Sequence, residues 1–296
     1  MIFTAKASAA TLAYDGFDYP SGTGLNGRTG GFGWNVVHPE WTTGQVPPAS
    51  TITAPGLPLP TAIGNAFTTH APSVATRHLD ADRFNVLNFF GNIGDVGTDL
   101  WFSFLVQDHF TASARQVWGG LRLFPGSMDN TANNLFVGKL VDPVSAEHHW
   151  GLGWHVNNVG ANAIVSQNAP AAVQANETYL LVVHFTSSAA SEQLSLYVNP
   201  VTPDIAPAAP DAQITLAPGQ FVFQSVDFET GQTEGHFTFD ELTFGTDYKS
   251  VALTSDAGPR LDPVPEPTIG AMLLGTVGLG AGLRRRRSGG WRKVQG

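Results

Sequence analysis

Hydrophobic residues recur at every second position in several short stretches of this chain, the period of half-buried β-strands. Leu100, Phe102, Phe104 and Val106 form one such set. Trp150, Leu152, Trp154 and Val156 form another, with Gly151 and Gly153 on the opposite face. Leu181, Val183 and Phe185 alternate, as do Leu194, Leu196 and Val198, after which Asn199-Pro200 turns the chain. Phe221 and Phe223 start a further strand. Between Gly235 and Gly245 the apolar phase changes, from Phe237 and Phe239 to Leu242 and Phe244. That change predicts a bulge or a strand end near Asp240-Glu241. Leu12 to Trp41, dense in glycine and aromatics, reads as a first strand and a long loop. The proline-rich stretch from Val46 to Pro60 is unsuited to a central strand. No long helical stripe occurs before Pro267. Many short strands between Gly, Pro, Asn and Asp turns predict an all-β sandwich.

The pattern breaks at the C-terminus. Thr268 to Leu283 carries no charge and is followed at once by Arg284, Arg285, Arg286 and Arg287. A short apolar helix stopped by arginines reads as a membrane stop with its basic end held in the cytoplasm, so the body is expected outside. At helical rise the apolar run spans roughly 24 Å, less than the ~30 Å of a bilayer's hydrocarbon core. Snorkelling arginines and local thinning of the bilayer would let it cross as a transient anchor. At the other end, Ala7-Ser8-Ala9 has the form of a signal-peptide cleavage site, preceded only by the apolar pair Ile2 and Phe3. Residues 1–10 are accordingly read as the remnant of a signal peptide whose start lies upstream. The expected organisation is a sandwich over 11–252, a linker over 253–263, a sorting and membrane segment over 264–288, and a cytoplasmic tail over 289–296.

Composition sharpens this picture. Charged residues make up 13% of the chain, with 33 glycines and 20 prolines, which suits an extracellular all-β protein. The absence of cysteine excludes disulfides, thiolate catalysis and cysteine-based zinc sites. The tail beyond Leu283 holds six of the 15 basic residues and no acid, leaving nine basic against 24 acidic residues elsewhere, a net charge of −15. Such a body repels phosphate, so nucleic acid is not an expected partner.

Val264-Pro265-Glu266-Pro267, the apolar run and the arginine block together resemble the PEP-CTERM sorting signal of Gram-negative bacteria. The resemblance implies an exosortase as partner, cutting near the Pro-Glu-Pro site, transient residence in the inner membrane, and a mature form at the cell surface or outside, tied to exopolysaccharide and biofilm. The body is similar to concanavalin A/laminin-G-like jelly rolls. Glu177 to Val183, Leu194 to Pro200 and Phe239 to Gly245 carry that likeness. The expected fold is therefore all-β, a jelly-roll (concanavalin-like) sandwich followed by a single C-terminal transmembrane helix.

Candidate chemistry is sparse. Glu147-His148-His149-Trp150 with His155 is the densest metal-capable cluster, but His149 and His155 stand too far apart on one strand for one ion, and no metal site is assigned. Asp15, Asp18 and Asn26 in the glycine-rich loop could supply oxygens to calcium. Gly22 to Gly27 matches Gly-x-Gly-x-x-Gly outside any βαβ unit and is not a nucleotide site. Asp227, Glu229, Glu234, Asp240 and Glu241 lack the Glu-x-Asp-x-x-Glu spacing of laminarinase-like glycanases, and Asp240-Glu241 sends its two carboxylates to opposite faces. No catalytic residue is assigned. Among the tryptophans, Trp150 and Trp154 fall in phase with the core, leaving Trp34 and Trp41, in loops, as the better sugar contacts. The expected function is that of a non-enzymatic exported surface or matrix protein. A carbohydrate-binding module and a glycan-cleaving enzyme are the alternatives.

Overall fold

A computed structural model describes residues 10–44, 50–58, 64–70, 72–84, 93–110, 117–125, 134–140, 148–155, 165–202, 204–231 and 236–252, with the side chain of His155 excepted. The chain divides into a unit over Met1–Pro263 and a second over Val264–Gly296. The second lies outside the described residues, and with it Val264 to Pro267, the run from Thr268 to Leu283, and Arg284 to Arg287. Among the described residues no helix is long and apolar enough to cross a membrane.

Among the described residues the first unit contains fifteen strands: β1 Thr11–Asp15, β2 Thr42–Thr43, β3 Ser50–Thr53, β4 Ala66–His70, β5 Ser73–His78, β6 Asp99–Asp108, β7 Gly119–Phe124, β8 Asn134–Leu140, β9 His149–His155, β10 Val165–Ala172, β11 Thr178–Ser187, β12 Glu192–Val198, β13 Ala212–Leu216, β14 Ser225–Thr230 and β15 His236–Gly245. A 3-10 turn, Ala81–Phe84, and a short closing helix, α1 Tyr248–Val251, complete it. The strands form two antiparallel sheets packed as a β-sandwich. One runs β13-β12-β11-β6-β15-β4-β3, with β1 added on β15; the other runs β10-β9-β8-β7-β14-β5-β2.

The alternating residues do what their period demands. Leu100, Phe102, Phe104 and Val106 of β6, Leu181, Val183 and Phe185 of β11, and Trp150, Leu152 and Trp154 of β9 all enter one central core. The phase change in β15 is a bulge: pairing with β6 shifts between Asp240 and Thr243, and Glu241 takes φ +55°. Ser50–Thr53, inside the proline-rich stretch, forms a strand at the margin of its sheet. One expectation is corrected. Phe221 and Phe223 precede β14 rather than start it, and Phe223 makes only an isolated bridge to Ile93. Their burial as core aromatics gave them the look of a strand.

The outer side of the first sheet is partly apolar. Trp101, Leu105, Leu180, Val182 and Tyr197 pack with Tyr248 and Val251 of α1 in a second cluster. An Asp247 capping box with Ser250 fixes this helix. The second sheet has a different outer side, and the candidate site lies there.

Candidate functional site

In β14, Val226 and Phe228 enter the core, so Ser225, Asp227 and Glu229 alternate to the outer side of the second sheet. Leu121 and Leu123 of β7 and Leu135 and Val137 of β8 likewise send Gly120, Arg122, Phe124, Phe136 and Gly138 outward. Register then arranges these side chains in rows. One row runs Thr76, Asp227, Arg122, Phe136, Gly153, Ser166. The next runs Val74, Glu229, Gly120, Gly138, Gly151, Asn168. Three adjacent strands thus present glycine beside Glu229.

The charged centre is Arg122. Its Nε donates to both oxygens of Asp227 at 3.0 and 3.1 Å, and its Nη2 donates to Asp227 Oδ2 at 2.5 Å. The same Nε stands 3.3 Å from Glu229 Oε2. Two carboxyl groups therefore share one guanidinium. Asp227 is sealed, at 1% side-chain exposure, while Glu229 keeps 22%. Burial pushes the Glu229 carboxyl up to about 7, Arg122 pulls it back, and Asp227 adds to the rise. Burial works against the charge on Arg122, but Asp227 and then Glu229 outweigh it and hold its proton more firmly.

Aromatic rings adjoin this centre. Trp118 meets Phe136 edge-on with ring centroids 5.6 Å apart, and Trp118 is half-buried. Its indole occupies the space over Gly231, where any Cβ would fall about 2.0 Å from the ring. On the other flank, His78 Nδ1 lies 2.6 Å from Ser225 Oγ. The guanidinium of Arg122 sits 5.2 Å from the Phe124 ring centre.

Other sites expected from sequence are placed differently. Trp34 and Trp41 are inside the core, at 5% and 0% exposure, so neither offers a face to sugar. Their loop folds inward around an ion pair. Asp15 accepts from Arg77 Nη1, from Trp41 Nε1 at 2.7 Å, from Tyr19 Oη at 2.8 Å and from the amide of Phe17 at 2.8 Å. Arg77 lies 4.4 Å from the Trp34 ring centre. Four donors on its carboxylate also remove Asp15 as a calcium ligand. Asp18 accepts from the amide of Asn65 at 3.2 Å and Asn26 from that of Thr43 at 3.1 Å, so the three oxygens serve separate loop contacts. No group of three His, Asp or Glu among the described residues could hold a metal ion. His149 reaches the carbonyl of Ala171 at 3.2 Å, and Glu147 lies outside the described residues. Asp240 accepts from the amides of Glu241 at 2.9 Å and Leu57 at 3.0 Å, a structural use of its carboxyl.

The Arg122–Asp227–Glu229 centre does not follow the Glu-x-Asp-x-x-Glu spacing, and its arginine lies about a hundred residues from its acids. The signal present was simpler. Asp227 and Glu229 are two apart in a strand, so they must share a face.

No protein-family model matches the chain, and no curated protein matches it. Among solved structures, an endo-1,3-beta-glucanase from Streptomyces sioyaensis superposes with TM-score 0.47 at 10% identity, covering 82% of this chain and 99% of that one. The T. cruzi calreticulin globular domain gives 0.43 at 13% identity, covering 71% and 84%. A Lotus tetragonolobus seed lectin gives 0.36 at 9% identity, covering 58% and 81%.

Proposed function

We propose that this chain is a non-enzymatic, exported polysaccharide-binding protein, and that its sandwich holds a neutral sugar chain against the outer side of the second sheet. The observation that carries this reading is Glu229, a part-exposed carboxyl held by Arg122 beside a row of glycines and an aromatic edge. A hydroxyl-rich ligand needs donors and acceptors at fixed positions, an apolar surface for its ring faces, and room to lie close to the backbone. A carboxyl pushed to about 7 can donate or accept at neutral pH. Asp227 fixes the Arg122 fork, and the half-buried Trp118, backed by the buried Phe136, supplies the apolar surface.

Binding is favoured over cleavage because one carboxyl of the pair is sealed. Glycoside hydrolysis needs both an acid and a base or nucleophile in reach of the bond. The elevated proton affinity of Glu229 does suit a general acid, which makes hydrolysis the second reading. A glycan array followed by tryptophan-fluorescence titration separates the two. The wild-type chain should bind a neutral glycan without releasing reducing ends. Trp118→Ala and Glu229→Gln should each weaken binding about tenfold or more in a chain that remains folded, as expected for losing a stacked ring or a charged hydrogen bond. Wild-type affinity in both variants would overturn the site, and new reducing ends would move the chain to the second class.

Export is the other half of the reading, and it rests on the sequence from Val264 to Arg287. Glu266 and its flanking prolines are the processing determinant for an exosortase, and the arginines stay in the cytoplasm while the sandwich is delivered outside, serving an exopolysaccharide or biofilm surface. Replacing Pro265-Glu266-Pro267 by alanines should leave a full-length, membrane-retained form. Unchanged mature mass and release would count against it.

A further inference from the structure

At the end of the first sheet where β4 finishes and β15 begins, three imidazoles lie in ring contact. His70 and His236 are directly opposed across the β4–β15 ladder, with ring centroids 4.4 Å apart. His109, just after β6, also meets His236, at 4.6 Å. The position of His109 is fixed. Its Nε2 lies 2.7 Å from Thr238 Oγ1 and its Nδ1 3.2 Å from Asn176 Oδ1. The Thr238 hydroxyl continues to that of Thr68 at 2.8 Å, so β4, β15 and the end of β6 are tied through this one group of side chains. The amide of His109 donates to the carbonyl of His236 at 3.0 Å, closing the same corner with backbone.

We infer that His236 in this group is an acid-sensitive latch: its neutral imidazole, packed between the other two rings, holds the β4–β15–β6 end closed, and its protonation opens it. A charge taken up by His236 is poorly solvated there, because its ring is part-buried between the other two. The charged and titratable groups that act on His236 among the described residues are His109 and Asp108 at the end of β6 and His70 from β4. Asp108 offers limited relief, since its carboxylate is taken up by Lys139 at 2.5 Å and by the amide of Phe110 at 3.0 Å. Burial, then His109 and His70, push His236 down to about 4 against the weaker pull of Asp108. A histidine with a lowered folded-state value contributes its full stability above its ordinary value of 6.5 and loses it as pH falls toward 4. Linkage with those two values gives a roughly twenty-fold larger open fraction at pH 5 than at pH 7.

Native-state hydrogen exchange on the full chain tests this, with rates corrected for the intrinsic chemical dependence on pH. Amides of β4 and of the start of β15 should open roughly twenty-fold more at pH 5 than at pH 7, while those in the middle of β11 and β12 should not. The His236→Gln chain should lose most of that difference. Should that chain fail to fold, His70→Gln, at an exposed position, should still show a smaller rise than the wild type. A rise spread evenly over both sheets, no rise, or an undiminished rise in either variant would overturn the latch.

Discussion

At the scale of single residues, this sandwich buries charge wherever the chain must be held in an unusual path. Arg77 faces inward from β5 and fixes the loop after β1 through Asp15, the carbonyl of Gly30 at 2.8 Å and the carbonyl of Pro39 at 2.7 Å. Removing one partner of such a pair leaves an uncompensated buried charge, which costs more than the pair itself contributes. That cost explains why two tryptophans in a glycine-rich loop turn inward. Sequence showed the loop and its aromatics, but a lone arginine 62 positions from its aspartate gives no local signal. Asp240 is a second buried acid with a measurable consequence. Burial, and then Glu241, push its carboxyl from the ordinary 3.8 to about 9, against two backbone N–H donors. The folded state therefore retains a proton that the unfolded state has released. The resulting stability is full below 3.8 and is lost as pH rises through about 9. Between pH 7 and 9 this group should lower the unfolding free energy by up to about 1.4 kcal/mol per pH unit. Urea unfolding across that window should show the slope in the wild type and a flatter one in Asp240→Asn. Equal slopes would mean that Asp240 is ionised in the folded chain.

At the scale of elements, period two gave the strands that cross the core, and it failed where burial was uniform. Leu181 to Phe185 and Leu100 to Val106 were legible from Ser103 and His184, the polar breaks in each run, although Trp101, Leu105 and Val182 on the same outer side are apolar and pack in the second cluster. Phe221 and Phe223 alternate as well, yet they line the core from a loop. β7 and β8 were not legible as a pair, because Gly120, Phe124, Phe136 and Gly138 at their outward positions dilute the polar alternation that Arg122 supplies. Those glycines are a packing requirement. A Cβ on Gly138 would stand 2.4 Å from the carbonyl oxygen of Gly119 and 2.6 Å from Cα of Gly120. Both are backbone atoms and cannot swing away. Gly138→Ala should therefore force β7 and β8 apart and destabilise the fold by about 1–3 kcal/mol, the range for overpacking. Gly44→Ala is the comparison, since nothing lies within 4 Å of its Cβ position. It should stay within about 0.5 kcal/mol of the wild type. Chemical denaturation of both reads the difference directly, and similar midpoints would show that the strands can yield.

At the scale of the whole molecule, charge is divided along the chain: the residues before the tail carry nine basic and 24 acidic side chains. The proposed site is close to internally balanced, with Arg122 shared by Asp227 and the part-protonated Glu229. A neutral glycan arriving there displaces little net charge, while an anionic polysaccharide must first cross the repulsive field of the body. Salt separates the two. The Debye length falls from ~10 Å at 0.1 M to ~3 Å at 1 M, so screening removes long-range repulsion and leaves contact hydrogen bonds in place. Affinity for a neutral glycan should change by less than about twofold over that range. Any affinity for a polyuronate should grow with added salt, because the field that opposes it weakens. The opposite trend, a polyuronate held tightly in dilute buffer and released by salt, would mean that a local basic surface governs recognition. Arg122 could not supply that surface while Asp227 and Glu229 hold it, so such a result would place the ligand away from the second sheet.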